Sequence, residues 1–136
     1  MEVKVESRIG ILNQVEKCVY DFVSDCNNFK PLANHGPVKD WTSDSDSCGF
    51  SVENIGRLSF RIVDREPGKF VKFAIDNPQA ENVFLWVQLK DSGLNNTRIK
   101  LTTKLNVNPM LKMLISSPLK RALDKIVDTL EHYYSH

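Results

Sequence analysis

The spacing of hydrophobic positions changes period along this chain, and each change marks an element. Val3, Val5, Ser7, Ile9 and Ile11 alternate with Glu2, Lys4, Glu6, Arg8 and Gly10, the two-residue period of a half-buried strand. Val15, Cys18, Val19, Phe22, Val23 and Cys26 then recur at helical spacing, which predicts a helix over 14–25. Asn13 with Glu16 three residues on reads as its capping box. Asn27 and Asn28 break the helix, and Phe29, Leu32 and Ala33, with Pro31 near the start, predict a further short turn before His35, Gly36 and Pro37.

From 38 to 107 the period is two again, interrupted by short polar turns. A weak strand over 38–42 is followed by the turn 43–47. Phe50, Val52 and Ile55 mark a second strand, and Leu58, Phe60 and Ile62 a third, which runs to the turn Glu66, Pro67 and Gly68. Val71, Phe73 and Ile75 mark the next. Val83, Leu85, Val87 and Leu89 share a face of the following strand, with Phe84, Trp86 and Gln88 opposite; which face of 83–90 points inward stays open. Ile99, Leu101, Thr103, Leu105 and Val107 line the last strand. Hairpin following hairpin specifies an antiparallel meander and not alternating strand–helix units.

The tail returns to helical spacing. Asn108 and Pro109 open a greasy segment, Met110, Leu111, Met113, Leu114 and Ile115. Ser116, Ser117 and Pro118 are expected to kink or restart it, with Ser117 as a new cap. Leu119, Ala122, Leu123, Ile126, Leu130 and Tyr133 then form one apolar stripe over 117–134, while Lys120, Arg121, Asp124, Lys125, Asp128 and Glu131 read as a solvated back. A long amphipathic helix must lay its stripe on something large, and here that is the sheet.

Composition narrows the function classes. A chain of 136 residues fits one domain, 1–136, with a core of its own. Lys plus Arg total 18 against 17 Asp plus Glu, a balance that predicts no nucleic-acid partner and no anionic-membrane binding. No apolar run reaches membrane-span length, so no stable membrane insertion is expected. The charged start is unlike a signal peptide, which points to the cytoplasm. Cys18, Cys26 and Cys48 make neither a CxxC pair nor an even set; they read as reduced structural thiols, with Cys18 and Cys26 on the apolar face of the first helix.

The order of elements resembles the START-like (SRPBCC) superfamily, the Bet v 1-like helix-grip fold, which includes the polyketide cyclase/dehydrase and lipid-transport proteins. The resemblance is carried by the first strand ending Ile9-Gly10-Ile11-Leu12-Asn13 and by the amphipathic helix Val15 to Asp25 with its closing aspartate. Asn28-Phe29 follow it, and Thr97 opens the last strand before Arg98-Ile99-Lys100-Leu101. Leu12-Asn13 stand where the family has a small residue and proline. The resemblance implies an α+β helix-grip fold: a curved antiparallel sheet wrapped around a long C-terminal helix, with two short helices after the first strand.

It also implies a ligand pocket between sheet and helix. Candidate lining residues on the strands and second helix are Phe29, Leu32, Phe60, Phe73, Leu85 and Leu101; those on the tail are Met113, Leu114, Leu119 and Leu123. Packing of a plain core is the competing meaning of the same residues.

Little in the chain promises chemistry. Inward polar residues are Ser7, Thr103 and Asn54, none a general base at neutral pH. His35 reads as a loop histidine, and His132 and His136, though at helical metal-pair spacing, have no further ligand nearby. Neither a glycine-rich phosphate loop nor a nucleophile–base spacing is evident. The sequence therefore predicts no catalytic residue, no cofactor and no metal. Its expectation is a binder or carrier of a small hydrophobic ligand (lipid, quinone-like or polyketide-like). A cyclase/dehydratase-type enzyme and a protein-interaction module of the same fold are the alternatives. Ligand identity and oligomeric state are left open.

Overall fold

The computed structural model describes residues 1–33, 38–78 and 80–135. The elements in order are β1 (Glu2–Glu6), β2 (Gly10–Leu12), α1 (Glu16–Val23), a 3₁₀ turn (Cys26–Phe29) and α2 (Lys30–Ala33). Six strands follow: β3 (Val38–Ser43), β4 (Ser47–Val52), β5 (Gly56–Glu66), β6 (Phe70–Asp76), β7 (Val83–Asp91) and β8 (Thr97–Asn106). The chain closes with α3 (Pro109–Tyr133). The strands form one curved antiparallel sheet in the order β1-β8-β7-β6-β5-β4-β3, with β2 continuing the β1 edge along β8. The helix-grip architecture expected from the sequence is what the chain adopts, and 83–90 turns Leu85, Val87 and Leu89 into the core.

The first strand is not continuous. Glu6 pairs with Thr102 and Gly10 with Ile99, so four steps on one side match three on the other (10 − 6 = 4; 102 − 99 = 3). The extra residue flips the phase. Val3, Val5 and Ser7 point inward as expected, but Ile9 (58% exposed) and Ile11 (51%) face solvent, while Gly10 and Leu12 are buried. Ser7 spans the break: its N–H donates to Leu101 O (2.8 Å) and its Oγ accepts from Leu101 N–H (2.9 Å).

The first helix is shorter than its periodicity. It begins at Glu16, with Val15 as a cap that offers no side chain, because Asn13 and Gln14 belong to the preceding turn. There the Gln14 carbonyl accepts Thr97 Oγ1 (2.8 Å), pinning the entry of α1 to the start of β8. Val19 and Val23 are buried; Val15 and Cys18 are exposed, which corrects the assignment of Cys18 to the apolar face.

The last helix is one helix and not two. Asn108 caps it, accepting Leu111 N–H at 2.8 Å, and it runs unbroken through Pro118, so Ser117 is no cap. Proline removes the bond to the Leu114 carbonyl, but Leu114 is 67% exposed and water can satisfy that oxygen. Leu123, Val127 and Leu130 are the residues of α3 that are fully buried, against β1, β2 and β8.

Candidate functional site

A cavity of about 240 Å³ lies between the sheet, the 3₁₀ turn with α2, and the C-terminal half of α3. A single water needs only ~10–15 Å³ measured this way, so this is space for a molecule and not a packing fault. One wall is an aromatic ladder running across four strands and the turn. Trp41 stacks on Phe50 (5.7 Å, 6° between planes), Phe50 on Phe60 (5.6 Å), and Phe73 meets Phe60 (6.4 Å) and Phe29 (6.1 Å) edge-on or tilted. Such pairs hold their rings in fixed offsets, so the wall is stiff. Leu85, Val87 and Leu101 continue it; Ile126, Thr129 and Leu130 of α3 face it. The Phe22–Tyr133 pair (4.9 Å) joins the end of α1 to the end of α3 nearby.

Trp41 reaches this wall through a bulge. Strict alternation from Val38 would turn Asp40 and Thr42 the same way. The β3–β4 register shifts between Lys39 and Thr42, where Asp40 has φ 57, and the inserted residue brings Trp41 onto the cavity side with Val38. Arg57 braces the bulge, donating from Nη1 to Asp40 O (2.7 Å) and from Nη2 to Thr42 Oγ1 (2.9 Å). It lies across Gly49, where a Cβ would come 2.8 Å from Nη2.

Of the ten residues expected at a pocket, the structure places Phe29, Leu32, Phe60, Phe73, Leu85 and Leu101 around the cavity. The four on the tail lie elsewhere. Met113 (84% exposed) and Leu114 (67%) face solvent together with Met110, Leu119 is half-buried outside the cavity, and Leu123 is packed in the core. Helical spacing correctly aligns these residues in stripes, but the cavity sits two turns further along, where Ile126, Thr129 and Leu130 turn to it. Sequence reasoning also missed Trp41, Phe50 and Cys48. The signal for Trp41 was present: apolar residues three apart within a strand imply an inserted residue.

Among the described residues the cavity lining is almost wholly carbon. Thr129 Oγ1 is spent on Lys125 O (2.9 Å); the other polar groups of described lining side chains are the Cys48 thiol and the Trp41 indole, whose Nε1 is buried without a hydrogen-bond partner among the described residues. Ser7 and Thr103, the inward hydroxyls, are engaged with backbone: Thr103 Oγ1 donates to Phe84 O (2.8 Å) and Ser7 Oγ to Arg8 O (2.7 Å). Asn54 lies in the exposed β4–β5 turn with φ 70, not at an inward position. His35 and His136 lie outside the described residues. No group of three or more metal-ligating side chains occurs among the described residues, and no described helix is long and apolar enough to cross a membrane.

The acidic residues of α3 do more than face solvent. Asp124 Oδ1 accepts the Arg8 N–H (2.7 Å), Glu131 Oε2 accepts the Ile11 N–H (2.9 Å), and the Arg8 guanidinium pairs with Asp128 and Glu131. Asp124 takes a backbone donor from the β1–β2 break and Glu131 one from β2 itself, so helix and sheet edge are stitched together. The Arg8 N–H holds Asp124, and the Arg8 guanidinium Glu131, below the ordinary carboxylate range.

No family model and no curated protein matches the chain by sequence. Solved structures do match it in shape. Norcoclaurine synthase from Thalictrum flavum, in complex with dopamine and hydroxybenzaldehyde, superposes with a TM-score of 0.76 at 10% identity, covering 98% of this chain and 86% of that one. The protein Ara h 8.0201 gives 0.72 at 10% identity over 98% of both chains. An uncharacterised protein from Bacillus thuringiensis gives 0.68 at 10% identity over the full length of both. At such identity the likeness establishes the fold, and the chain has the Bet v 1-like helix-grip fold.

Proposed function

We propose that the chain is a single cytoplasmic domain that binds or carries a small hydrophobic molecule, of the lipid, quinone-like or polyketide-like kind, in the cavity between sheet and α3. The observation that carries this reading is the 240 Å³ of space faced by an aromatic ladder and aliphatic side chains. Burying an apolar ligand there releases its hydration at about 25 cal/mol per Å² of surface, and the stiff wall keeps the ordering cost low. An enzyme of the cyclase/dehydratase type is less well supported: no carboxylate, imidazole or amine of the described residues lines the cavity. An interaction module would draw on the exposed trio Met110, Met113 and Leu114, which covers only one turn of helix.

Native against denaturing mass spectrometry on protein purified from its own host tests the carrier reading. The expected result is extra mass that leaves on unfolding as an extractable apolar compound. Ala33→Trp, which fills the cavity from α2, should abolish that extra mass while leaving the fold intact. A clean apo mass, together with no binding of added long-chain fatty acid or naphthoquinone, would overturn the reading.

A further inference from the structure

Cys26 and Cys48 lie 22 positions apart in the sequence (48 − 26 = 22), one in the 3₁₀ turn and the other in β4. The fold brings them together. Both are buried in one core cluster (0% and 5% exposed), the Cys26 N–H donates to Ser45 O (3.0 Å) three positions before Cys48 (48 − 45 = 3), and Cys48 lines the cavity. We propose that Cys26 and Cys48 are a modification site, a dithiol that a peroxide oxidises reversibly to a disulfide tying the 3₁₀ turn to β4 beside the cavity. The proposal does not depend on what the cavity binds.

Three features make the pair ready for that bond. The two backbone segments are already fixed to each other. The Cys26 N–H donates to Ser45 O (3.0 Å), Ser43 Oγ donates to Asn27 Oδ1 (2.8 Å), and Arg65 Nη2 reaches both Ser24 O (3.3 Å) and Asp46 Oδ1 (2.5 Å). A cross-link between elements held this way needs little backbone movement, which is the usual obstacle to forming one. The second feature is chemical asymmetry. Cys48 alone of the two borders the cavity; its thiol is lowered, chiefly by Cys26 beside it and also by the Phe60 backbone N–H, while Cys26 is raised, chiefly by Cys48 and by burial. The third is access: the nucleophilic sulfur borders a cavity large enough for a water-sized oxidant.

The steps balance. The Cys48 thiolate attacks one peroxide oxygen, the O–O bond breaks, and hydroxide leaves, taking up a proton as water and leaving a sulfenic acid. Cys26 then attacks the Cys48 sulfur, the S–O bond breaks, and the departing hydroxide takes the Cys26 proton. Two thiols and one hydrogen peroxide become one disulfide and two waters. The bond would hold the 3₁₀ turn, and with it Phe29 and the start of α2, at a fixed distance from the aromatic wall.

The test uses the full chain carrying Cys18→Ser, since Cys18 is exposed and would otherwise join molecules together. Reduced protein is treated with equimolar hydrogen peroxide under native conditions, digested and mapped by mass spectrometry. The expected result is a cross-linked Cys26–Cys48 peptide pair, a protein lighter by two hydrogens, reversal by dithiothreitol, and a thermal midpoint raised by several degrees. Both thiols remaining free, each sulfur oxidising separately to a sulfinic acid, or the cross-link forming only in denaturant would overturn the proposal. These readouts need no ligand, so a failure here is separate from a failure of the carrier reading.

Discussion

Trp41 shows how a single side chain can be held for its shape and not for its polar atom. Its ring is stacked on Phe50 at 5.7 Å, while its Nε1 is buried with no hydrogen-bond partner among the described residues. An unmet buried donor costs about 1–3 kcal/mol, and the stack and burial of the ring return at least as much. Trp41→Phe keeps an aromatic face and removes the orphan donor, so its stability should stay within about 1 kcal/mol of the parent. Trp41→Ala removes the ring and should cost about 2–4 kcal/mol. Equilibrium denaturation of the two variants checks this; a loss for Trp41→Phe well beyond about 1 kcal/mol would mean the N–H is satisfied. At this scale the sequence was only partly legible. Phe60 and Phe73 stood on a clean alternating pattern, whereas Trp41 depended on a one-residue insertion at Asp40 that alternation does not contain.

At the scale of elements, the contact between α3 and the β1–β2 edge organises the fold. Gly10 sits where a Cβ would overlap Val127 Cγ1 and come 3.1 Å from Ile99 Cγ2. Val127 is fully buried and stiff at its first torsion, so it cannot step aside. Gly10→Ala should therefore destabilise the protein by about 1–3 kcal/mol through overpacking, and Val127→Ala in the same chain should recover part of the loss. A pair of single and double variants measured by urea denaturation decides it: additive losses would place Gly10 away from Val127. Apolar periodicity predicted both elements, but it carried the first strand straight through residues 7–9. The break there is set by pairing with β8 and by the close approach of α3, both remote in sequence. Likewise Pro118 reads as a helix breaker locally, yet Leu114, whose carbonyl loses its bond, is 67% exposed and the helix continues.

Across the whole molecule, Arg8 and the three carboxylates Asp124, Asp128 and Glu131 fasten the helix to the rim of the sheet. Asp124 and Glu131 are held below their unfolded values in the folded chain. A depressed carboxylate contributes stability that is present above its unfolded pKa and lost as pH falls through its folded one. Stability should thus be level near neutrality and decline below the ordinary carboxylate range. Glu131→Gln keeps an acceptor for the Ile11 N–H but removes the charge facing Arg8, so it should flatten that acid decline. Thermal midpoints from pH 7 to 3 for parent and variant test this, and an unchanged slope would remove Glu131 from the account. The variant's midpoint at neutral pH should shift little, since a pair still partly open to solvent contributes modestly.

What the sequence determined by itself was the set of elements and their order. Two-residue and helical periods are properties of the local backbone, and the turns between them are marked by Gly, Pro, Asn and Asp at short range. The resemblance of that order to the helix-grip fold implied the architecture the chain adopts, and six of the ten residues expected at a pocket border the cavity. Tertiary structure decided the rest: where along α3 the cavity lies, which side of the first strand turns out at Ile9 and Ile11, and that the turn of Cys26 and the strand of Cys48 share one core cluster. Each of these depends on a register shift or on the height of one element against another. A shift of one residue in a strand reverses its faces, and sliding a helix along its axis leaves its periodicity unchanged. The amphipathic pattern is blind to both, and only packing of the assembled sheet against α3 fixes them.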